Sequence, residues 1–105
     1  MQEQEVEIEL FTEEHRRGAF VVDVREPSEY HQGHVPGAQL IPLGVVPLRL
    51  HELPRDRPVY VICASGHRSL TAAQHMARAG VDARSVRGGT HAWARRGRPL
   101  VRGHE

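Results

Sequence analysis

One cysteine stands where it could act as a nucleophile. Cys63 follows the apolar run Val59-Tyr60-Val61-Ile62 and opens Cys63-Ala64-Ser65-Gly66-His67-Arg68, just ahead of a helical pattern. Such a β-branched run reads as a strand covered on both faces, and open parallel sheets bind ligands beyond the carboxyl ends of their strands. Gly66 lets the loop curl with its N–H groups pointing inward. A thiolate at the centre of that curl accepts several amide hydrogen bonds and feels the dipole of the following helix. This setting lowers a thiol from about 8.5 by roughly 1–5 units, and ~2 units favour the thiolate by about 2.7 kcal/mol. Cys63 is therefore expected to be largely ionised at neutral pH. The competing account of a lone cysteine is a buried structural thiol; Gly66 and Arg68 on a strand-to-helix turn favour the reactive one.

The neighbours of Cys63 admit more than one role. Arg68 could donate to the loop or hold an anionic substrate. His67 could act as acid or base, but a thiolate ionised by backbone dipoles needs neither, so it reads as a solvent-facing loop residue. Ser65 reads as a residue that caps the loop. Asp23 and Arg25 lie at the end of a second apolar run, Phe20-Val21-Val22-Asp23-Val24. Arg25 and Glu29 are spaced to pair across one helical turn, worth ~0.3–0.5 kcal/mol when exposed. A Cys-x5-Arg phosphatase uses the same thiolate-in-a-curl logic. Only four residues separate Cys63 from Arg68 here, a smaller ring that suits a sulfur atom better than a tetrahedral phosphate. His31 and His34 are close, but no carboxylate or thiol completes a ligand spacing, so no metal is expected. Trp93 reads as a core or pocket-wall side chain.

The elements that must position these residues follow from periodicity. Glu5-Val6-Glu7-Ile8-Glu9-Leu10 alternates strictly and predicts a half-buried strand. Its carboxylates place it at a sheet edge. Thr12 then caps a short helix that Gly18 ends. Pro27 opens a helix reaching about Gln32. Leu40-Ile41 reads as a short strand, and Val45 to Leu53 as a helix interrupted by Pro47. Ser69 to Ala79 reads as a helix closed by Gly80, and Ala83 to Val86 as a last strand. Thr90 to Arg95 reads as a short helix, with a polar tail from Gly97. Buried strands alternating with helices imply an α/β fold of βαβ units with a mainly parallel sheet.

Composition bounds the function classes. The 105 residues fit one domain. The net charge of +1 argues against a general nucleic-acid binder or a membrane-surface protein. No apolar run approaches the roughly 18 residues of a membrane span. The acidic start is unlike a secretory signal, so the cytoplasm is the expected compartment. A single cysteine excludes an intramolecular disulfide, a CxxC redox pair and a multi-cysteine zinc site. Charge is uneven: residues 1–14 hold six Glu and no basic residue, while Arg84 to Arg102 holds six Arg and no acid. This reads as solvated surface, or as a basic rim that steers anionic donors or an acidic carrier protein.

Cys63-Ala64-Ser65-Gly66-His67-Arg68-Ser69 resembles the CxxGxRS active-site loop of the rhodaneses, the single-domain sulfurtransferases. Asp23-Val24-Arg25-Glu26-Pro27-Ser28-Glu29-Tyr30, followed by Gly33-His34-Val35-Pro36-Gly37-Ala38, is similar to that family's DVRxxxEYxxGHIPGA signature. Gly88-Gly89 to Trp93 resembles its GGxxAW ending. The resemblance spans about residues 6–97 and implies five mostly parallel strands with helices on both faces. It implies that Cys63 takes a sulfane sulfur from a donor such as thiosulfate, held as a persulfide, and passes it to cyanide or a thiol. The loop residues Ala64, Ser65, Gly66, His67 and Arg68 would supply backbone amides, with no cofactor. It also suggests Arg68 as a clamp on Asp23, with Arg25 and Glu29 supporting the site. With no second thiol in the chain, the acceptor must come from outside, and ping-pong kinetics follow.

Overall fold

Strands that bury both faces need cover on both sides, and the rest of the chain supplies it. The computed structural model describes residues 4–104. Five strands, β1 (Glu5–Val6), β2 (Phe20–Asp23), β3 (Gln39–Leu40), β4 (Val59–Ile62) and β5 (Ala83–Val86), form one sheet in the order β1-β5-β4-β2-β3. Every neighbouring pair is parallel. The helices are α1 (Ile8–Arg16), α2 (Pro27–Gln32), α3 (His67–Arg78) and α4 (Gly89–Arg95). Alternate side chains of the central strands divide the core in two. Val22, Val59, Val61 and Ala83 pack with Ala72, Ala73 and Met76 of α3. Val21, Tyr60, Ile62 and Val86 pack with Phe11 of α1, Tyr30 of α2 and Trp93 of α4. The expected α/β fold, a five-stranded parallel sheet with helices on both faces, is the observed one.

The amino-terminal alternation misleads. Only Glu5–Val6 is strand, and the helix begins at Ile8 rather than at Thr12. Ile8 and Phe11 are three apart and both buried, whereas Leu10 stays 45% exposed. The helical period buries a full aromatic ring against Trp93 and Tyr60, which a strand could not do from the same residues. Thr12 lies inside the helix and donates its hydroxyl to the Ile8 carbonyl at 2.8 Å. The expected edge position of β1 holds.

Two further segments depart from expectation. Leu43–Leu48 and Leu50–Glu52 form 3-10 turns, because Pro47 supplies no N–H for a continuous α-helix. The residues after Gly97 are tied down rather than trailing. Trp93 Nε1–H donates to the Pro99 carbonyl at 2.7 Å. Val101 and His34 exchange two backbone hydrogen bonds of 2.9 Å, and Gly103 N–H donates to the His31 carbonyl at 2.9 Å.

Candidate active site

The site forms where β4 hands over to α3. Cys63 is the first residue past β4, and Gly66, at φ +113°, caps α3. The turn between them wraps the sulfur. Cys63 Sγ accepts the Gly66 N–H at 3.1 Å and the Ser69 N–H at 3.3 Å, and lies 3.4 Å from Ser69 Oγ. The residue is 1% exposed. Burial pushes the thiol pKa up; hydrogen bonds from the Ser69 hydroxyl and from the N–H groups of Ser69, Gly66 and Ser65 outweigh it, so the thiol titrates below its ordinary value.

A second layer fixes that curl from below. The first N–H groups of a helix have no partner inside it. In α4 they find the loop: Thr90 N–H and hydroxyl donate to the Cys63 carbonyl at 2.8 and 3.0 Å, and His91 N–H donates to the Ala64 carbonyl at 3.0 Å. The loop carbonyls are thereby held toward α4 while its amides face the sulfur. The approach is close enough to demand glycine. A Cβ at Gly89 would collide with the carbonyls of Cys63 and Ala64, and one at Gly66 would lie 3.2 Å from the Gly88 nitrogen.

The four charged residues near the loop come together, but in different pairs from those expected. Arg68 forks onto Glu29 through bonds of 2.8 and 2.9 Å, not onto Asp23. Arg25 forks onto Asp23, through Nε at 3.0 Å and Nη2 at 2.9 Å, not onto Glu29. Geometry explains the exchange. Asp23 ends β2, and the next turn returns Arg25 to the same side, where its own N–H also donates to Asp23 at 3.0 Å. Arg25 then reaches the Gly33 carbonyl at 2.8 Å, buried between β2 and α2. Glu29, on the first turn of α2, faces the first turn of α3 and accepts the Glu26 N–H at 2.9 Å. The Arg68 guanidinium holds its carboxyl down at about 2, against a smaller opposing effect of burial.

Ser65 and His67 are exposed, with Ser65 Oγ 3.4 Å from His67 Nδ1. Trp93 is fully buried in the core. His34 is buried and stacked on Tyr30, with Nδ1–H donating to the Tyr30 carbonyl, while the His31 ring meets that of His104. Beside the loop, a depression of about 300 Å³ is lined by Arg25, Glu29, Ala64, Thr90, His91 and Leu100, among others. Sequence reasoning missed three hydroxyls. Ser69 closes the CxxGxRS match and starts a helix in the sequence, but nothing there shows that its hydroxyl reaches the sulfur; Thr90 reads only as part of a short helix. Ser85 carries no local signal at all.

Residues 7–96 match the model of the rhodanese-like domain. The chain belongs to the rhodanese-like family. A sulfurtransferase of Allochromatium vinosum is 42% identical over 82 residues, covering 77% of this chain and 77% of that protein. YrkF of Bacillus subtilis, named as a proposed sulfur carrier, is 47% identical over 60 residues, 57% of this chain and 32% of that one. The rhodanese-related protein of Thermoplasma volcanium superposes with a TM-score of 0.84 at 31% identity, over 93% of this chain and 97% of that one. This rhodanese-like chain thus shares its fold with the Thermoplasma protein, and in this chain that fold holds Cys63 at the end of a central strand.

Proposed function

We propose that the protein is a sulfurtransferase in which Cys63 carries the sulfur. The Cys63 thiolate attacks the sulfane sulfur of a donor such as thiosulfate. The donor's S–S bond breaks, sulfite leaves with the bonding pair, and a Cys63 persulfide remains. An outside nucleophile, cyanide or a thiol, then attacks the outer sulfur and regenerates the thiolate. The observation that carries this reading is the buried Sγ held by the amides of Gly66 and Ser69. Donors aimed at a thiolate also suit the charge that develops on sulfur during transfer. Ala64, Ser65, Gly66, His67 and Arg68 form the loop; the Asp23–Arg25 and Glu29–Arg68 pairs hold its flanks. The activity is assigned to the cytoplasm, where reduced thiols can serve as acceptors.

Intact-mass measurement after thiosulfate treatment tests it. Wild type should gain one sulfur atom and lose it to cyanide, and Cys63→Ser should gain none. An unchanged wild-type mass refutes the reading. A second reading, a passive sulfur carrier, is favoured by the likeness to YrkF; a single stoichiometric transfer without turnover would select it. A phosphatase role is disfavoured by Arg68, whose guanidinium already forks onto Glu29. Turnover of an aryl phosphate without sulfur uptake would restore it.

A further inference from the structure

We propose that Ser85, on β5 and outside the cysteine's own loop, is a positioning residue for the sulfur chemistry, acting through Ser69. The inference rests on Cys63 being the nucleophile of the proposed reaction. Ser85 Oγ lies 2.8 Å from Ser69 Oγ, which in turn lies 3.4 Å from Cys63 Sγ. Both serines are fully buried and Cys63 is 1% exposed, so no water competes along this line. Ser85 shares the α3 side of β5 with Ala83, whose neighbours there are Val59, Val61, Ala73 and Met76. A hydroxyl on such an apolar face is costly unless it is bonded, and here it is bonded toward the sulfur.

A hydroxyl donates once and accepts twice. In the thiol form the Cys63 S–H points at Ser69 Oγ, and the Ser69 hydroxyl donates onward to Ser85. In the thiolate form no S–H exists. The Ser69 hydroxyl turns to the sulfur, and the Ser85 hydroxyl donates to Ser69 Oγ. Ionisation thus reverses a two-hydroxyl chain, and Ser85 is the member that keeps the Ser69 oxygen supplied with a donor in the charged state. No atom is gained or lost in the reversal beyond the thiol proton, which leaves to solvent. A bond to an ionised acceptor is about twice as strong as a neutral one, and a second bond behind it strengthens it by about 10–30%. Removing Ser85 therefore weakens the thiolate more than the thiol, by about two- to fivefold in their ratio.

The test is a pH titration of Cys63 by thiolate ultraviolet absorbance, referenced to Cys63→Ser, for wild type, Ser85→Ala and Ser85→Thr. The ionisable groups about the sulfur, namely His67, the Arg68–Glu29 pair and the Asp23–Arg25 pair, are the same in all three. In Ser85→Ala the midpoint should rise by about 0.3–0.7 units, and Ser85→Thr, which restores a hydroxyl, should bring it back. A purely structural role would lower the melting temperature without moving the midpoint. Coincident midpoints for wild type and Ser85→Ala overturn the proposal, and so does a threonine midpoint that stays with alanine's. The titration does not require sulfur transfer. If the midpoints differ as stated while wild type takes up no sulfur, the hold of the Ser85–Ser69 pair on the Cys63 thiolate stands, and the sulfurtransferase reading falls together with Ser85's part in it.

Discussion

Cys63 sets burial, which opposes its charge, against hydrogen bonds that favour it, and the hydrogen bonds prevail. Sulfur loading should therefore follow the thiolate, rising with pH through a midpoint below that of a free thiol and level above it. Stopped-flow loading rates across pH check this, and a rate still climbing through the ordinary thiol range counts against it. Glu29 gives a second pH signature. Its folded pKa of about 2 lies below its unfolded value. Its stabilising effect is thus complete above the unfolded value, near 4, and fades as pH falls toward about 2. Both partners are about a third exposed, so Glu29→Gln should cost only about 1 kcal/mol near neutrality. Urea titrations should show that difference shrinking as the medium is acidified through this window. The sequence marks all four charged residues as supports of the site, but not their pairing. Spacing alone joins Arg25 to Glu29 four residues on. Which carboxylate each guanidinium meets depends on where β2, α2 and α3 end relative to one another.

At the scale of elements, the turn between β5 and α4 matters as much as the loop it supports. Gly89, at φ +56°, lets the start of α4 press against the Cys63 and Ala64 carbonyls. Gly89→Ala should push that contact apart, destabilising the fold by about 2 kcal/mol, roughly 10 °C in Tm for a domain this small. It should also slow sulfur loading more than Glu29→Gln does, which parallel melting and loading assays would show. Element types were largely legible: β4 and β5 have the expected bounds, and β2 and α3 differ by one or two residues at their ends. The helix at Ile8 was not, because Glu5 to Leu10 satisfies a period of two, while the helical pair that is buried, Ile8 and Phe11, reaches past that run. The choice falls to Phe11, whose ring finds Trp93 only in the folded chain.

For the whole molecule, part of the uneven charge in sequence is paired across space. Glu5 and Glu7 pair with Arg87, and Glu9 pairs with Arg96. Such exposed pairs are worth little singly, yet they join segments 80 and 87 residues apart. The segment after Gly97 matters more. It supplies the partners of Trp93 Nε1 and of both His34 backbone groups. Ending the chain at Gly97 should leave these groups unsatisfied and cost about 2–3 kcal/mol, measurable as a lower urea midpoint. Unchanged stability would show that water replaces those partners fully.

What the sequence determined alone was local and periodic: two doubly buried strands, the glycine-bearing curl after Cys63, and motifs specific enough to mark the family. Such features are set by neighbours within a few residues, which one chain read in order displays. The tertiary structure alone decided the partners: Arg68 with Glu29, Asp23 with Arg25, Thr90 beneath the loop, and Ser85 behind Ser69. Apart from Asp23 and Arg25, which one local turn brings together, each joins residues whose distance depends on how sheet and helices stack, and no spacing along the chain encodes that.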